Sequence, residues 1–241
     1  VKHPLKYYQN NISGLINLLQ CFKKNNLNQI IFSSSACVYG ASKKLPIDEK
    51  NKLKFENPYG HTKIISEEII QNYCMVNNCN YANLRYFNPS GCHDSCLIGE
   101  NFSKKDKGLM SNILKSINTG NYINIYGSNY KTKDGTAVRD FVHVMDIAQG
   151  HINALEYLAK NKKNITCNLG SGKGTTVLQM IENFEKVTGR KIKIKFTDAR
   201  SGDAEKSFAS IKKANKELNW KPTHSLSDIS YTSYKRLMNY Y

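Results

Sequence analysis

Residues 29–87 constrain the fold of this chain most strongly, because they read as a strand, a long helix and a second strand. Residues 29–34 run from β-branched and aromatic side chains into small polar ones, which predicts a short buried strand. Pro58 is typical of the first position of a helix, and the apolar residues after it predict a helix over 58–77. The run at 81–87 predicts another strand. We therefore expect one β-α-β crossover of a parallel sheet, with a right-handed connection.

The helix over 58–77 is expected to be amphipathic. Two acidic residues, Glu67 and Glu68, are expected to keep its outer face in solvent. The side chains expected in its buried stripe are Ile64, Ile65, Ile69 and Ile70.

Side chains able to transfer a proton lie where this strand ends and this helix begins. A triple serine at 33–35 ends the strand, and Tyr59 and Lys63 are four residues apart, so they share one helix face. In open α/β sheets, ligands bind at the carboxyl ends of the strands. The sequence therefore predicts a catalytic trio of Ser35, Tyr59 and Lys63.

The charge of the lysine suits the tyrosine to act as a base. Lowering a tyrosine pKa from about 10 to about 7 takes roughly 4 kcal/mol. A cation about 4 Å away supplies roughly 4 kcal/mol at an effective dielectric constant of about 20. We therefore expect Lys63 to lower the pKa of Tyr59, and a hydrogen bond from Ser35 to the phenolate to add to that effect. Such a base can take a proton from an alcohol.

Further motifs follow in a fixed order along the chain. The strand end Ser-Ser-Ser-Ala-Cys-Val-Tyr-Gly stands at 33–40. It is followed by Leu-Arg-Tyr-Phe-Asn-Pro at 84–89, Gly-Thr-Ala-Val-Arg-Asp-Phe-Val-His-Val-Met-Asp-Ile-Ala at 135–148, Cys-Asn-Leu-Gly-Ser-Gly at 167–172, Ala-Arg-Ser-Gly-Asp at 199–203 and Glu-Leu-Asn-Trp at 217–220. Together these motifs resemble those of the UDP-glucose 4-epimerases, in the extended short-chain dehydrogenase/reductase superfamily. The resemblance runs from Tyr7 to about Trp220.

The resemblance implies an α/β fold, with a partial Rossmann-like parallel sheet and a smaller C-terminal α+β substrate domain. The expected domains are 1–91 for the cofactor and 92–241 for the UDP-sugar, with 139–160 packing back on the first domain. Such proteins begin with a Gly-x-x-Gly-x-x-Gly turn that holds the NAD pyrophosphate at a helix N-terminus. The 241 residues contain no such turn before Ser33. We therefore expect the activity to belong to an intact parent protein, and the 241 residues alone to be inactive.

The implied reaction is the interconversion of UDP-glucose and UDP-galactose by transient oxidation at sugar carbon 4 with bound NAD. Tyr59 would take the 4-hydroxyl proton, and Lys63 and Ser35 would assist it. The same three residues would contact the cofactor. Asn10 is implied to reach the nicotinamide ribose, and Phe87 to back the nicotinamide.

A second set of residues is implied to bind the UDP-sugar. Bidentate arginines suit a diphosphate, and a strand edge with small polar side chains suits a uracil. The implied residues are Asn88, Leu109, Asn124, Tyr126, Arg139, Arg200, Asp203 and Ser207. The long polar loop at 91–107 is implied to cover the nucleotide-sugar.

Three positions depart from the pattern of the family. Gly108 stands where many epimerases have an asparagine, and Cys37 stands where threonine is usual. Ser207 is small at a position that some relatives fill with tyrosine. From this we expect the parent protein to accept UDP-N-acetylhexosamines as well as UDP-hexoses.

Two other functions stay open at this point. A nucleotide-sugar dehydratase or decarboxylase of the same superfamily is one, although dehydratases commonly place an Asp-Glu pair after the serine, where this chain has Ala36 and Cys37. A non-catalytic remnant is the other. The absent glycine-rich turn favours a remnant, and the complete trio disfavours it.

Composition limits the partners. The formal net charge is +16, from 35 lysines and arginines against 19 acidic residues. The basic residues are scattered rather than clustered, and no nucleic-acid module is recognisable, so we expect no nucleic-acid partner. No run of apolar residues is long enough to span a membrane. The expected partner is a UDP-sugar, with the intact parent protein a homodimer.

The seven cysteines are odd in number and lack zinc-ribbon spacing, so they predict neither a disulfide framework nor a metal site. Reduced thiols are typical of a cytoplasmic protein.

Periodicity predicts several further helices. One spans 5–24, with Leu5, Tyr8, Ile12, Leu15, Ile16 and Leu19 inward. Another spans 146–158, with Ala148, Ile152, Leu155 and Leu158 on one side. The run at 169–176 lacks phosphate-loop spacing, and predicts a strand-to-helix turn in which Thr175 or Thr176 caps a helix that Gly189 ends. Helices are predicted at 109–117 and 226–239, and a short strand is predicted at 123–126.

Overall fold

The computed structural model describes residues 3–99, 108–200 and 202–240, and shows an alternation of helices with mostly parallel strands. The N-terminal part contains α1 (Pro4–Tyr8), a π-helical turn (Gln9–Ser13), α2 (Gly14–Lys24), β1 (Gln29–Ser35), a 3₁₀ helix (Ala36–Tyr39), α3 (Pro58–Asn77), β2 (Asn80–Tyr86) and β3 (Asn88–Ser90). The middle contains α4 (Leu109–Thr119), β4 (Ile123–Tyr126), β5 (Val138–Arg139), β6 (Phe141–His143) and α5 (Val144–Asn161). The remainder contains β7 (Ile165–Leu169), β8 (Thr175–Thr176), α6 (Val177–Thr188), β9 (Ile194–Thr197), α7 (Lys212–Leu218) and α8 (Leu226–Tyr240).

A parallel three-stranded sheet, in the order β1-β2-β7, carries Ser35 at the end of β1. Ser35 pairs with Tyr86, and Tyr86 pairs with Leu169, so the three strands end at one edge. The predicted crossover is present, because α3 connects two adjacent parallel strands. The α/β fold class expected from the sequence is confirmed.

Two of the four apolar clusters among the described residues have the most members. One joins β2 and β7 to α5 and α7, and includes Leu84, Leu158 and Trp220. The other joins β4 to α4, α6 and α8, and includes Leu114 and Phe184. The predicted segment that packs back on the first domain ended at residue 160. Strand β7 at 165–169 also belongs to the three-stranded sheet, so residues beyond 160 contribute to that sheet as well. The domain boundary at 91/92 stays a prediction.

The first helix is interrupted, and the stripe expected on it was partly wrong. Leu15 and Leu19 are buried, but Leu5 and Ile16 are 78% and 42% exposed. The cause is the π-helical turn between α1 and α2. A wider turn changes the rotation per residue, so a stripe projected at 3.6 residues per turn loses its phase.

The expected side of α5 was partly wrong, although Leu158 is buried as expected. Ile152 and Leu155 are 50% and 51% exposed, whereas Gly150 and Ala154 face the core. A Cβ on Gly150 would come within 2.6 Å of Leu169 Cδ1. The sheet therefore packs against the small residues, which allow the closest approach.

Glu67 was expected in solvent and is instead 6% exposed. Its carboxylate pairs with the Arg85 guanidinium from β2, at 2.9 Å to Nε and 2.6 Å to Nη2. Glu68 is exposed, as expected. A charge on the inner face of a helix is tolerated when a partner from another element neutralises it.

The turn before α6 has the predicted form. Thr176 accepts from the Gln179 backbone N–H, and the Gln179 side chain accepts from the Thr176 N–H, which makes a capping box. Gly189 ends the helix with a φ of 67°, a conformation that glycine adopts without strain. The capping positions were therefore predicted correctly.

No helix in the described ranges is long and apolar enough to cross a bilayer. The same ranges contain no cluster of three or more side chains that could hold a metal ion. All seven cysteines are free thiols. Residues 100–107 of the loop expected to cover the substrate, and Ser201 of the motif at 199–203, lie outside the described residues.

Candidate active site

Ser35, Tyr59 and Lys63 meet at the carboxyl edge of the sheet. Ser35 ends β1, and the other two lie on consecutive turns at the start of α3. The Ser35 hydroxyl lies near the Tyr59 phenol, and its interaction with the phenol opposes the rise that burial causes in the pKa of Tyr59. The Lys63 ammonium lies 5.7 Å from the centre of the Tyr59 ring, and donates to the backbone carbonyl of Ser33 at 2.8 Å.

Local sequence places the start of α3 close to the strand end. The Asn57 side chain caps the helix by accepting from the Gly60 N–H at 2.9 Å. A Cβ on Gly60 would lie 2.8 Å from the Cys37 backbone oxygen. Only glycine lets the first turn of α3 approach the 3₁₀ helix this closely, which brings Tyr59 beside Ser35.

The electrostatics of Tyr59 differ from the expectation. Burial raises the pKa of Tyr59, the hydrogen bond from Ser35 opposes that rise, and Cys37 and Tyr7 add to it. Burial also lowers the pKa of Lys63. The expectation that Lys63 brings the Tyr59 pKa below its ordinary value was therefore wrong for the protein by itself, because burial outweighs the opposing contribution.

A cleft of about 1290 Å³ opens beside Tyr59. The π-helical turn of Gln9–Ser13 lines it, together with Tyr7 and the Tyr59 ring. Asn10 lines it too, and its amide donates to Asn11 Oδ1 at 3.1 Å. Amide and aromatic side chains around a roomy cleft fit the ribose and nicotinamide of a dinucleotide.

Asn11 connects the turn that lines the cleft to α3 through hydrogen bonds. Its side-chain amide donates to Thr62 Oγ1 at 2.9 Å, and that hydroxyl donates to the Tyr59 carbonyl at 2.8 Å. Phe87, which was expected to back the nicotinamide, is instead buried beside Val38. Among the described residues it is not part of the cleft lining.

A second cavity, of about 260 Å³, collects most of the residues expected to bind the UDP-sugar. The expected residues that line it are Asn88, Leu109, Asn124, Tyr126, Arg139, Arg200 and Asp203. Ser207 is the exception within the described part of the chain. It is half-buried, and its backbone N–H donates to the Val138 carbonyl at 3.0 Å.

Two guanidinium groups make this cavity electropositive. Arg139 donates to the carbonyls of Val138 and Ala204 at 2.9 and 2.8 Å, which fixes its direction. Burial lowers the pKa of Arg139, Asp203 opposes that, and the nearby charge of Arg200 lowers it further. Two cations that repel one another in a partly buried cavity favour an anionic ligand between them.

The Arg200 guanidinium lies 3.6 Å from the centre of the Tyr126 ring. A planar cation stacked on an aromatic face is held in one orientation. The stacked pair forms one wall of the cavity, at the carboxyl end of β4.

Asp140 was not predicted from the sequence, and it stands between Arg139 and Phe141, which both line the second cavity. It is fully buried and accepts hydrogen bonds from the backbone N–H groups of Ser171, Gly172 and Ala209. Burial raises the pKa of Asp140, and these bonds oppose the rise. An acidic residue inside the Val-Arg-Asp-Phe-Val run at 138–142 was the available signal.

Comparison with known proteins agrees with this geometry. The family model described as the NAD dependent epimerase/dehydratase family matches residues 1–170. A bifunctional UDP-glucose 4-epimerase and UDP-xylose 4-epimerase from Pisum sativum is 42% identical over 238 residues, which cover 95% of this chain and 67% of that protein. The chain thus spans about two thirds of the length of this relative.

Solved structures agree as well. The UDP-glucose 4-epimerase from Stenotrophomonas maltophila, with bound NAD and formylated UDP-arabinopyranose, has a TM-score of 0.96 and 37% identity, covering 99% of this chain and 72% of that one. The enzyme from Bifidobacterium longum, in complex with NAD+ and UDP, has a TM-score of 0.89 and 37% identity over the same shares. The chain therefore belongs to the NAD-dependent epimerase/dehydratase family.

Proposed function

We propose that this chain carries the proton-transfer and sugar-nucleotide sites of a UDP-glucose 4-epimerase. The reaction interconverts UDP-glucose and UDP-galactose by transient oxidation at sugar carbon 4. The observation that carries the proposal is the meeting of Ser35, Tyr59 and Lys63 beside a roomy cleft that Tyr59 lines, in a chain that also holds an electropositive cavity. The relatives named above support it, since their activities and ligands match the two sites.

The residues of this chain divide the work. Tyr59 takes the proton from the sugar 4-hydroxyl and later returns it, and Ser35 holds the same oxygen by a hydrogen bond. Lys63 supplies positive charge beside the phenol. Arg139 and Arg200 hold the diphosphate, so that the sugar extends from their cavity toward Tyr59.

NAD fits the cleft through Asn10 and Tyr7, and when bound it supplies the hydride acceptor and a positively charged ring. Because burial raises the pKa of Tyr59 in the protein by itself, a second positive charge near the phenol favours its ionised form. The ionised phenol is the form that removes a proton.

The direct test uses the full-length protein that contains these residues, loaded with NAD. UDP-galactose is supplied, and the products are separated and identified by their proton spectra. We expect UDP-glucose from the wild type and a loss of at least about a hundredfold in rate for Tyr59→Phe. If the wild type leaves UDP-galactose unchanged, or forms a 4-keto-6-deoxy sugar, the proposed reaction is wrong.

The dehydratase alternative finds little support at the site. Elimination needs an acid beside the tyrosine, and the group beside Tyr59 is the exposed thiol of Cys37. Ala36, the other residue after the serine, has no titratable group.

Acceptance of UDP-N-acetylhexosamines is a second part of the proposal, and it rests on the small side chain of Ser207. Ser207 lies outside the cavity lining. A comparison of Ser207→Tyr with wild type therefore tests whether this position limits the size of the sugar substituent. We expect the tyrosine to reduce turnover of UDP-N-acetylgalactosamine and to spare UDP-galactose. Equal turnover of both substrates in the two proteins would contradict this role.

The cellular setting completes the proposal. All seven cysteines are free, and an odd set of unpaired thiols favours the reducing cytoplasm.

Exposed apolar side chains on α2 and α3, among them Leu18 and Val76 at 52% and 81%, would be buried in a homodimer. Sedimentation of the full-length protein as a monomer would contradict the dimer.

A further inference from the structure

A buried carboxylate lies directly behind the catalytic pair. Glu67 follows Lys63 by four residues and Tyr59 by eight, so the three side chains lie along one face of α3. The first two border the site, whereas Glu67 is 6% exposed. Its charge opposes the fall that burial causes in the pKa of Lys63, but no step of the proposed reaction uses Glu67 directly.

Glu67 contacts the strand that carries the serines. The Ser34 hydroxyl donates to Glu67 Oε1 at 2.5 Å, and Ser34 is itself 2% exposed. Successive side chains of a strand point to opposite faces, so Ser34 faces α3 whereas Ser33 faces away from it. The Ser33 hydroxyl accepts from the Tyr86 phenol at 2.8 Å on that other face. The end of β1 is thus held from both sides.

The carboxylate is itself fixed by a chain of buried groups. Arg85 binds both oxygens of Glu67, and its Nη1 donates to the Tyr39 hydroxyl at 2.8 Å. That hydroxyl donates to Asn168 Oδ1 at 2.7 Å, and the Asn168 amide donates to the Ile47 carbonyl at 2.9 Å. The chain links α3, β2, the 3₁₀ helix and β7.

A buried ion pair is seldom more stabilising than apolar side chains of the same size, because desolvation offsets the attraction. A buried polar network differs from apolar packing because each hydrogen bond in it is directional and permits only a few geometries. The Ser34–Glu67 bond therefore restricts how β1 can slide or tilt against α3. The contacts that depend on this alignment are those from Ser33 to Lys63 and from Ser35 to Tyr59.

We propose that Glu67 is a positioning residue of the proton-transfer site, which acts through Ser34 to hold the end of β1 in register with Tyr59 and Lys63. The inference rests on the proposed function for its catalytic meaning. The other titratable groups that interact with Tyr59 are Cys37, Tyr7 and Tyr86, and Lys63 also lies over the Phe32 ring. None of these links the strand to α3 at the depth of Glu67.

Ser34→Ala is the main test, because it removes one hydroxyl and leaves the Glu67–Arg85 pair intact. Ser66→Ala is the matched control. Ser66 is also a buried serine, 1% exposed, and its hydroxyl has no hydrogen-bond partner among the described residues. Ser34→Thr restores a hydroxyl and is the rescue variant.

We expect kcat of the NAD-loaded full-length protein to fall roughly fivefold in Ser34→Ala, the rate equivalent of one hydrogen bond. KM for UDP-galactose should stay within about twofold, since the nucleotide cavity is separate. Ser66→Ala should keep the wild-type kcat, and Ser34→Thr should recover most of it. Equal kcat values in the two alanine variants would overturn the inference.

A second readout does not need turnover. Tyrosine labelled at the ring carbon that bears the hydroxyl reports the ionisation of Tyr59 by NMR, with Tyr59→Phe assigning the signal. Ser35 opposes the rise that burial causes in the pKa of Tyr59, so a misaligned strand should move the Tyr59 titration to higher pH in Ser34→Ala and not in Ser66→Ala. An unchanged titration in Ser34→Ala overturns the inference, whether or not the wild type epimerises UDP-galactose.

Discussion

The ammonium of Lys63 donates to the backbone carbonyl of Ser33 at 2.8 Å, and its distance to the centre of the Tyr59 ring is 5.7 Å. The lysine is therefore held by the strand that also delivers Ser35. The hydrogen bond to Ser33 restricts the Lys63 side chain, so its ammonium stays at a fixed distance from the phenol. This arrangement leads to the first prediction.

Lys63→Met should reduce kcat by about a hundredfold or more, because the phenol loses its neighbouring cation as well as the strand contact. Lys63→Arg keeps the charge but presents a planar group that cannot reproduce a single-point contact. We expect it to recover only part of the rate. Steady-state kinetics with UDP-galactose measure both variants, and a Lys63→Met protein with wild-type kcat would contradict the role.

Arg200→Ala should weaken UDP binding by about tenfold to a hundredfold, since a hydrogen bond to a charged group contributes about 1.5–3 kcal/mol. The loss includes the wall that Arg200 forms by stacking on Tyr126. Calorimetric titration with UDP measures the change. Arg190→Ala is the control, because Arg190 is an exposed arginine bonded to Tyr234 outside this cavity. A similar loss in the control would assign the effect to net charge alone.

Asp146→Asn should lower the free energy of unfolding at pH 7 by about 2 kcal/mol. Burial alone would raise the pKa of Asp146, but hydrogen bonds from His224 and Thr223 outweigh it, so the pKa is lowered. The Thr223 hydroxyl donates at 2.8 Å, and His224 Nδ1 lies 2.8 Å from the same oxygen.

The pH dependence of this effect has a defined sign. A carboxyl group whose pKa is lower in the folded state stabilises the fold at every pH above its unfolded value of about 3.9. That stabilisation is lost as the pH falls through the lower folded value. Urea unfolding from pH 7 down to acid should therefore show the wild type converging on Asp146→Asn. Asp198→Asn, at an exposed position, is the control for the loss of one acidic side chain.

Two helical glycines should respond oppositely to alanine. A Cβ on Gly150 would meet Leu169 Cδ1 at 2.6 Å and Trp220 Nε1 at 3.3 Å, so Gly150→Ala should destabilise by about 1–3 kcal/mol. A Cβ on Gly14 would meet nothing within 4 Å, so Gly14→Ala should stabilise by about 0.5–1 kcal/mol. Thermal unfolding of both variants measures the difference. A stabilised Gly150→Ala would show that α5 can move away from the sheet.

Local patterns in the sequence were enough to predict the elements that carry the site. The strand predicted at 29–34 extends to Ser35, and the helix predicted at 58–77 has those bounds. The cap at Thr176 and the end at Gly189 were also readable. These features depend on neighbours within about one turn of the chain, so the sequence contains their causes directly.

Tertiary structure decided which face of each element is covered and which groups meet. Glu67 lies inside because Arg85, on another strand, neutralises it, and α5 turns its small residues inward because the sheet can approach them most closely. Burial raises the pKa of Tyr59, and burial depends on residues from the whole surroundings of the phenol. The sequence alone determined that a tyrosine, a lysine and a serine would converge at one strand end. The position and ionisation of each depend on long-range contacts, which no local pattern encodes.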